Sequence, residues 1–216
     1  MLDNIGITGV VAGGDVSITK NLGQGSWALS SLSPIGLVPV QSGTASSITL
    51  SNLPPADYVV QFGDVPFYQT PPARTNSLVV DGTLYFTGNY TFPDANSNGI
   101  SDSFELHYFG SVTTNRTQFT DTDKDGMSDY AEFIAGTDPT NAASRFYFTR
   151  ITQTNRVVEM EWTVVTDRLY QVSASTGLKS WSPATAWLQA SNDPTMNYSA
   201  TNSGSGAQFY RVQVLP

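Results

Sequence analysis

Two stretches of twelve residues, Asp94–Glu105 and Asp121–Glu132, carry oxygen-bearing side chains at positions 1, 3, 5, 9 and 12 and a glycine at position 6. That spacing suits calcium, a hard cation that takes six to eight oxygens at about 2.3–2.6 Å, one of them a main-chain carbonyl at position 7. The first loop offers Asp94, Asn96, Asn98, Asp102 and Glu105, with Gly99 at the turn and the Ile100 carbonyl as main-chain ligand. The second offers Asp121, Asp123, Asp125, Asp129 and Glu132, with Gly126 at the turn and the Met127 carbonyl as main-chain ligand. Two calcium sites are therefore expected. The second should be the tighter, because it brings five carboxylates where the first brings three and two amides.

Charge distribution supports the same reading. The 216-residue chain has 18 acids and a formal net charge of -8. Nine of those acids fall between Asp94 and Asp138, opposed there only by Arg116 and Lys124. Such a block repels itself and stays unfolded unless a cation removes the conflict. An acidic linker with no metal would need no Gly and Glu at fixed offsets. The negative charge also predicts no affinity for nucleic acid or for anionic membrane surfaces.

Other chemistries find little footing. The chain has no cysteine, which removes disulfides and thiolate sites. His107 is the only histidine and lies two residues past Glu105, where packing or a helix surface explains it better than a catalytic triad. Outside the loops, Glu161 and Asp167 are the carboxylates to consider for glycoside chemistry, and a strand or turn accounts for each. No glycine-rich phosphate loop is present. The chain is expected not to be an enzyme. Trp181 and Trp187 are candidates for stacking on a sugar ring, whereas Trp162 alternates with Val158 and Met160 as a core residue does. Asn89, Asn115 and Asn197 begin N-x-[ST] triplets, a pattern common by chance.

The elements that must position the loops follow from periodicity. Alternation marks strands at Asp15–Thr19, Ser47–Ser51, Asp57–Phe62, Arg156–Trp162, Arg168–Val172 and Phe209–Val214. Ser77–Val80 and Thr83–Thr87 flank Asp81-Gly82, which predicts a hairpin. After each loop comes a short helical pattern: Phe104 with Tyr108, then Tyr130 with Phe133 and Ile134. Gly110 and Gly136 stand where C-terminal caps belong. The loop–helix–glycine unit repeats at 27 residues, from Asp94 to Asp121.

The two loops and the Gly136-Thr-Asp-Pro139 tail resemble thrombospondin type 3 and dockerin-type calcium repeats. In those families an Asp of the tail can add a ligand, so the resemblance makes Asp138 a further candidate. Phe92-Pro93 and Phe119-Thr120 do not look helical, which favours the half-hand form without an incoming helix. Asn52–Phe62, with its Leu-Pro turn and aromatic-led strand, resembles PEGA and carboxypeptidase-regulatory-like β-sandwich modules, with Asp57 where glycine is common. The closing Phe209-Tyr-Arg-Val212 resembles fibronectin-III-like modules of secreted bacterial proteins.

The expected fold is mainly β: two small antiparallel β-sandwiches joined by a calcium-binding loop-helix connector. The boundaries are 1–92 for the first sandwich, 93–142 for the connector and 143–216 for the second sandwich. Without metal the connector would be a flexible acidic segment; bound calcium would fix it, so that its folding free energy is largely metal-binding free energy. No apolar run approaches the roughly 20 residues a membrane helix needs, so no membrane insertion is expected. The start, Met1-Leu2-Asp3-Asn4, lacks the regions of a signal peptide, so an exported protein would be a mature or trimmed form. Three roles fit: an extracellular or cell-surface structural subunit that forms a homo-oligomer or filament; an accessory region of a secreted hydrolase, with polysaccharide as partner; and, least favoured, a small enzyme.

Overall fold

The computed structural model describes residues 12–202 and 206–216; the Met1-Leu2-Asp3-Asn4 start lies outside them. The chain divides into two compact units. One holds the chain up to Val65 together with Gln69–Tyr90, and the other holds Pro66–Tyr68 together with Thr91–Pro216.

Among the described residues the first unit has seven strands: β1 (Gly14–Lys20), β2 (Trp27–Ser33), β3 (Gly36–Gly43), β4 (Ser47–Leu53), β5 (Ala56–Phe62), β6 (Arg74–Leu78) and β7 (Thr83–Gly88). They form a three-stranded sheet in the order β4-β1-β7 and a four-stranded sheet in the order β3-β2-β5-β6. In β1, Val16 and Ile18 are buried and alternate with half-buried neighbours, as a strand with one face on a core requires. Trp27 and Leu29 of β2, Tyr58, Val60 and Phe62 of β5, Leu78 of β6 and Phe86 of β7 are buried as well. Each fully buried side chain of this size contributes about 1.5–3 kcal/mol.

Two pairings depart from the sequence expectation. β1 pairs with β7 in parallel, with Val16 opposite Leu84 and Ile18 opposite Phe86, while the other strand pairs are antiparallel. The Asp81-Gly82 turn does not close a hairpin. β6 pairs with β5 in one sheet and β7 with β1 in the other, so the turn carries the chain between sheets. Its backbone is held from β1's side: Asp81 N donates to Gly13 O, and Asp15 N donates to Gly82 O. Local turn chemistry fixed the reversal, but burial of Leu78 and Phe86 decided the partners.

The second unit opens with the two loops, each followed by a short helix: α1 (Asp102–Phe109) and α2 (Asp129–Ala135). Gly110 and Gly136 end them in the left-handed conformation, as the sequence predicted. The strands are β8 (Phe148–Thr154), β9 (Val157–Thr163), β10 (Leu169–Ser175), β11 (Ser182–Pro183), β12 (Leu188–Gln189), β13 (Thr195–Thr201) and β14 (Phe209–Leu215). They form a β13-β9-β8 sheet and a second sheet in which β10 pairs with β11, β12 and β14. Met160 and Trp162 from β9 meet Tyr170 and Val172 from β10 in one buried cluster, with Val158, Tyr210, Val212 and Val214 packed around it. The architecture is mainly β, in sandwiches. Among the described residues no helix is long and apolar enough to cross a membrane.

Candidate metal centre

The loops stand on an aromatic core of their own. Ile100, Phe104 and Phe133 are buried together, and Phe67, Tyr68, Phe92, Tyr108, Phe109, Tyr130 and Ile134 pack against them. The Phe133 ring lies 5.2–5.6 Å from those of Phe104, Phe92 and Tyr68. Ile100, at position 7 of the first loop, is fully buried. Met127, its counterpart in the second, is half-buried, with its Sδ 3.1 Å from the Phe146 main-chain nitrogen.

Both loops are folded by closely similar internal bonds. The position 1 carboxylate accepts from main-chain nitrogens across the turn: Asp94 from Asn98 and Gly99 at 3.0 and 2.9 Å, and Asp121 from Lys124 and Gly126 at 2.7 and 3.0 Å. The position 5 side chain accepts from the nitrogen at position 7: Asn98 from Ile100, and Asp125 from Met127. The position 9 carboxylate accepts from the nitrogen at position 2: Asp102 from Ala95, and Asp129 from Thr122, each at 2.9 Å. Gly99 and Gly126 have φ of 83° and 97°, a conformation that side-chain-bearing residues rarely adopt.

The oxygens of the second loop converge. Ligand atoms of Asp121, Asp123 and Asp125 lie within 4.8 Å of one another. Asp123 Oδ2, Asp125 Oδ2 and Glu132 Oε2 are buried and accept no hydrogen bond. Orphaned buried carboxylate oxygens are costly, and three of them on one loop suit a hard divalent cation. Burial, with Asp123, Asp125 and Asp129 nearby, pushes the Glu132 carboxyl up to about 8, although the Thr137 hydroxyl that donates to its Oε1 at 3.1 Å works against this. Burial also raises Asp123. Asp129 has both oxygens engaged, by Thr122 and by the Arg116 guanidinium. Asp138 lies outside the cluster, and its Oδ1 accepts from the Thr140 nitrogen and hydroxyl.

The first loop ends differently. Glu105 is fully buried and meets Arg116 Nη1 at 3.0 Å, and Asn96 Nδ2 donates to both of its oxygens. Asn96 Oδ1 is buried without a partner. Sequence reasoning noted Arg116 only as a charge opposing the acids. Its position between two acidic loops was the signal that could have singled it out.

Of the other candidates, His107 is exposed on α1, its ring 5.5 Å from that of Phe67. Glu161 accepts from the Thr149 hydroxyl on the neighbouring strand, and Asp167 occupies a turn with φ of 67°. Trp162 is fully buried, as expected.

Residues 121–142 match the bacterial TSP3 repeat family. That stretch contains the converging second loop, α2 and the tail through Asp138, so the likeness and the geometry single out the same residues. No curated protein matches the sequence. Among solved structures, a DUF3823 family protein from Bacteroides ovatus is similar at 12% identity, over 94% of this chain and 90% of that one, with a TM-score of 0.28. Another, from Parabacteroides merdae, is similar at 12% identity over 94% and 92%, with a TM-score of 0.31. A third, from Bacteroides uniformis, is similar at 7% identity over 93% and 88%, with a TM-score of 0.31.

Proposed function

We propose that this chain is a calcium-stabilised extracellular structural protein, a subunit of a self-assembling filament or cell-surface layer, and not an enzyme. The observation that carries the calcium part is the set of orphaned oxygens on Asp123, Asp125 and Glu132 beside Asp121. Those four side chains and the Met127 carbonyl would hold the ion. Calcium supplies the positive charge that offsets their repulsion; Asp129 keeps the loop closed through Thr122.

The assembly part rests on strand edges. Among the described residues β3 pairs on one side only, with β2, and it exposes Leu37, Val38 and Val40. Among the same residues β8 pairs only with β9 and exposes Ile151. Unpaired, apolar edges are templates for strand addition between chains. The division into modules over 1–92, 93–142 and 143–216, the first PEGA- or carboxypeptidase-regulatory-like and the last fibronectin-III-like, belongs to the same reading.

Electron microscopy of the purified chain in millimolar calcium, beside an EDTA-treated sample, tests the proposal. Filaments or sheets that disperse in EDTA support it. Dispersed particles in both samples favour the accessory-module reading. In that case Trp187, 38% exposed, is the residue to examine by polysaccharide binding, since Arg211 lies over the Trp181 ring at 4.6 Å.

A further inference from the structure

The two loops share most of their internal bonds yet meet opposite surroundings where the metal ligands should converge. In the second loop Asp121, Asp123 and Asp125 bring ligand oxygens together, and Asp123 Oδ2, Asp125 Oδ2 and Glu132 Oε2 are buried without a donor. In the first, hydrogen-bond donors stand between them. Asn96 Nδ2 lies 3.2 and 3.0 Å from the two Glu105 oxygens and 2.8 Å from Thr113 O. Three acceptors around one amide nitrogen fix the amide's orientation; turned over, its oxygen would face a carboxylate and a carbonyl.

The positive charge is also supplied from within. Arg116 Nη1 binds Glu105 and Arg116 Nε binds Asp129 Oδ2, both at 3.0 Å, and both carboxylates are fully buried. The guanidinium lies 3.5 Å from the centre of the Phe109 ring, and the Arg116 side chain is 14% exposed. Its planar fork matches two carboxylates at once in a way a lysine could not. Calcium in the first loop would need the Asn96 oxygen and the Glu105 oxygens turned toward one point, with the guanidinium gone. The residues present do not fit that arrangement.

We propose that Arg116 takes the place of calcium in the first loop, so that the chain binds a single calcium ion, in the second loop. Arg116 joins position 12 of the first loop to position 9 of the second. The first loop is then a permanently closed support, ordered at any calcium concentration, and calcium dependence resides in the second loop alone. This rests on the calcium reading of the second loop given above.

Native mass spectrometry and calorimetry on the full chain test it, with calcium as the only added ligand. One ion per chain is expected, lost in Asp121→Ala and retained with unchanged affinity in Asp94→Ala. Two ions in the wild type, one of them lost in Asp94→Ala, would overturn the proposal while leaving the second loop a calcium site. No ion in the wild type would instead overturn the calcium reading itself. A measurement independent of any variant is the Arg116 Nε–H resonance. It should persist, protected from exchange, at saturating calcium; its loss on calcium addition would mean that the ion displaces the guanidinium, and the proposal would fail.

Discussion

Arg168 Nε donates to the Ile134 carbonyl at 2.9 Å, which ties the last turn of α2 to the residue that precedes β10. A helix leaves its last carbonyls without partners, and a cation there is favoured by the helix dipole. The guanidinium lies so close that a Cβ on Gly136 would come within 2.8 Å of Arg168 Nη2. Burial pulls the Arg168 pKa down from its usual value, though Tyr68, Tyr170 and Asp167 favour the charged form. The helix that carries Glu132 is therefore anchored by a buried side chain from the second unit's sandwich.

Replacing that anchor should be felt throughout the second unit. Arg168→Gln leaves the Ile134 carbonyl short of a donor and should cost about 1–3 kcal/mol, read by urea denaturation with tryptophan fluorescence in saturating calcium. Gly136→Ala should cost a similar amount, since it strains a residue at φ of 78° and pushes on the same guanidinium. The double variant should lose less than the sum, because the two share one contact. Full additivity would mean that the contact matters little.

Glu132→Gln should change sign with calcium. In EDTA the substitution removes a buried carboxylate whose Oε2 has no partner and whose neighbours are acidic. The melting temperature of the second unit should rise. In calcium the same change removes a ligand charge, and affinity should fall by at least the roughly 10–100-fold that losing a group hydrogen-bonded to a metal ligand costs. A variant that is less stable than wild type in EDTA would show that Glu132 contributes packing rather than a ligand.

The sequence made some of this visible and hid the rest, for physical reasons. Asp94, Asp121 and their partners were legible because a twelve-residue loop is a local device whose bonds span few positions. Gly110 and Gly136 were legible because a helix end needs a left-handed residue wherever it occurs. β1, β5, β9 and β14 announced themselves by alternation. β3 did not, because Gly36–Gly43 is exposed almost throughout and its pattern answers to no core. Nor did the Pro66–Tyr68 excursion, which lies between two strands of the first unit yet sends Phe67 and Tyr68 into the aromatic core of the second. The Arg116 bridge was hidden for the same reason: it is tertiary, 11 residues from Glu105 and 13 from Asp129. Loop spacing shows which oxygens could converge, and only the surroundings show whether a donor stands between them.

Lys20 provides a pH signature for the first unit. Its side chain is buried, with Nζ donating to Leu22 O and Gly23 O at 2.8 and 2.9 Å, and burial lowers its pKa from 10.5 to about 8. Between those values the unfolded chain binds the proton and the folded chain does not, so stability rises with pH from about 8 toward 10.5. The raised tyrosines Tyr58 and Tyr90 act oppositely, but only near and above pH 10. Denaturation of the wild type and of Lys20→Met at pH 8 and pH 10 isolates the effect. The wild type should gain stability relative to the variant; no change in their difference would mean that the two carbonyls keep the ammonium charged.

Phe133→Ala separates packing from metal binding. Phe133 is buried on α2, stacked on Tyr68 at 18° and edge-on to Phe92 and Phe104. Removing it should cost about 3–5 kcal/mol, since the cavity has rigid aromatic walls. It sits next to Glu132 in sequence but points into the aromatic core, while Glu132 belongs to the loop. Calcium stabilises the folded form by an amount set by ion concentration and affinity alone. If the core only supports the helix, the gap in stability between calcium and EDTA should be the same in Phe133→Ala as in the wild type, on a lower baseline. If the core also sets where Glu132 stands, the gap should shrink along with the affinity. Tyr68→Ala, which thins the same core from the Pro66–Tyr68 segment, provides the control: an unchanged gap there beside a reduced one in Phe133→Ala would place the coupling within α2 itself.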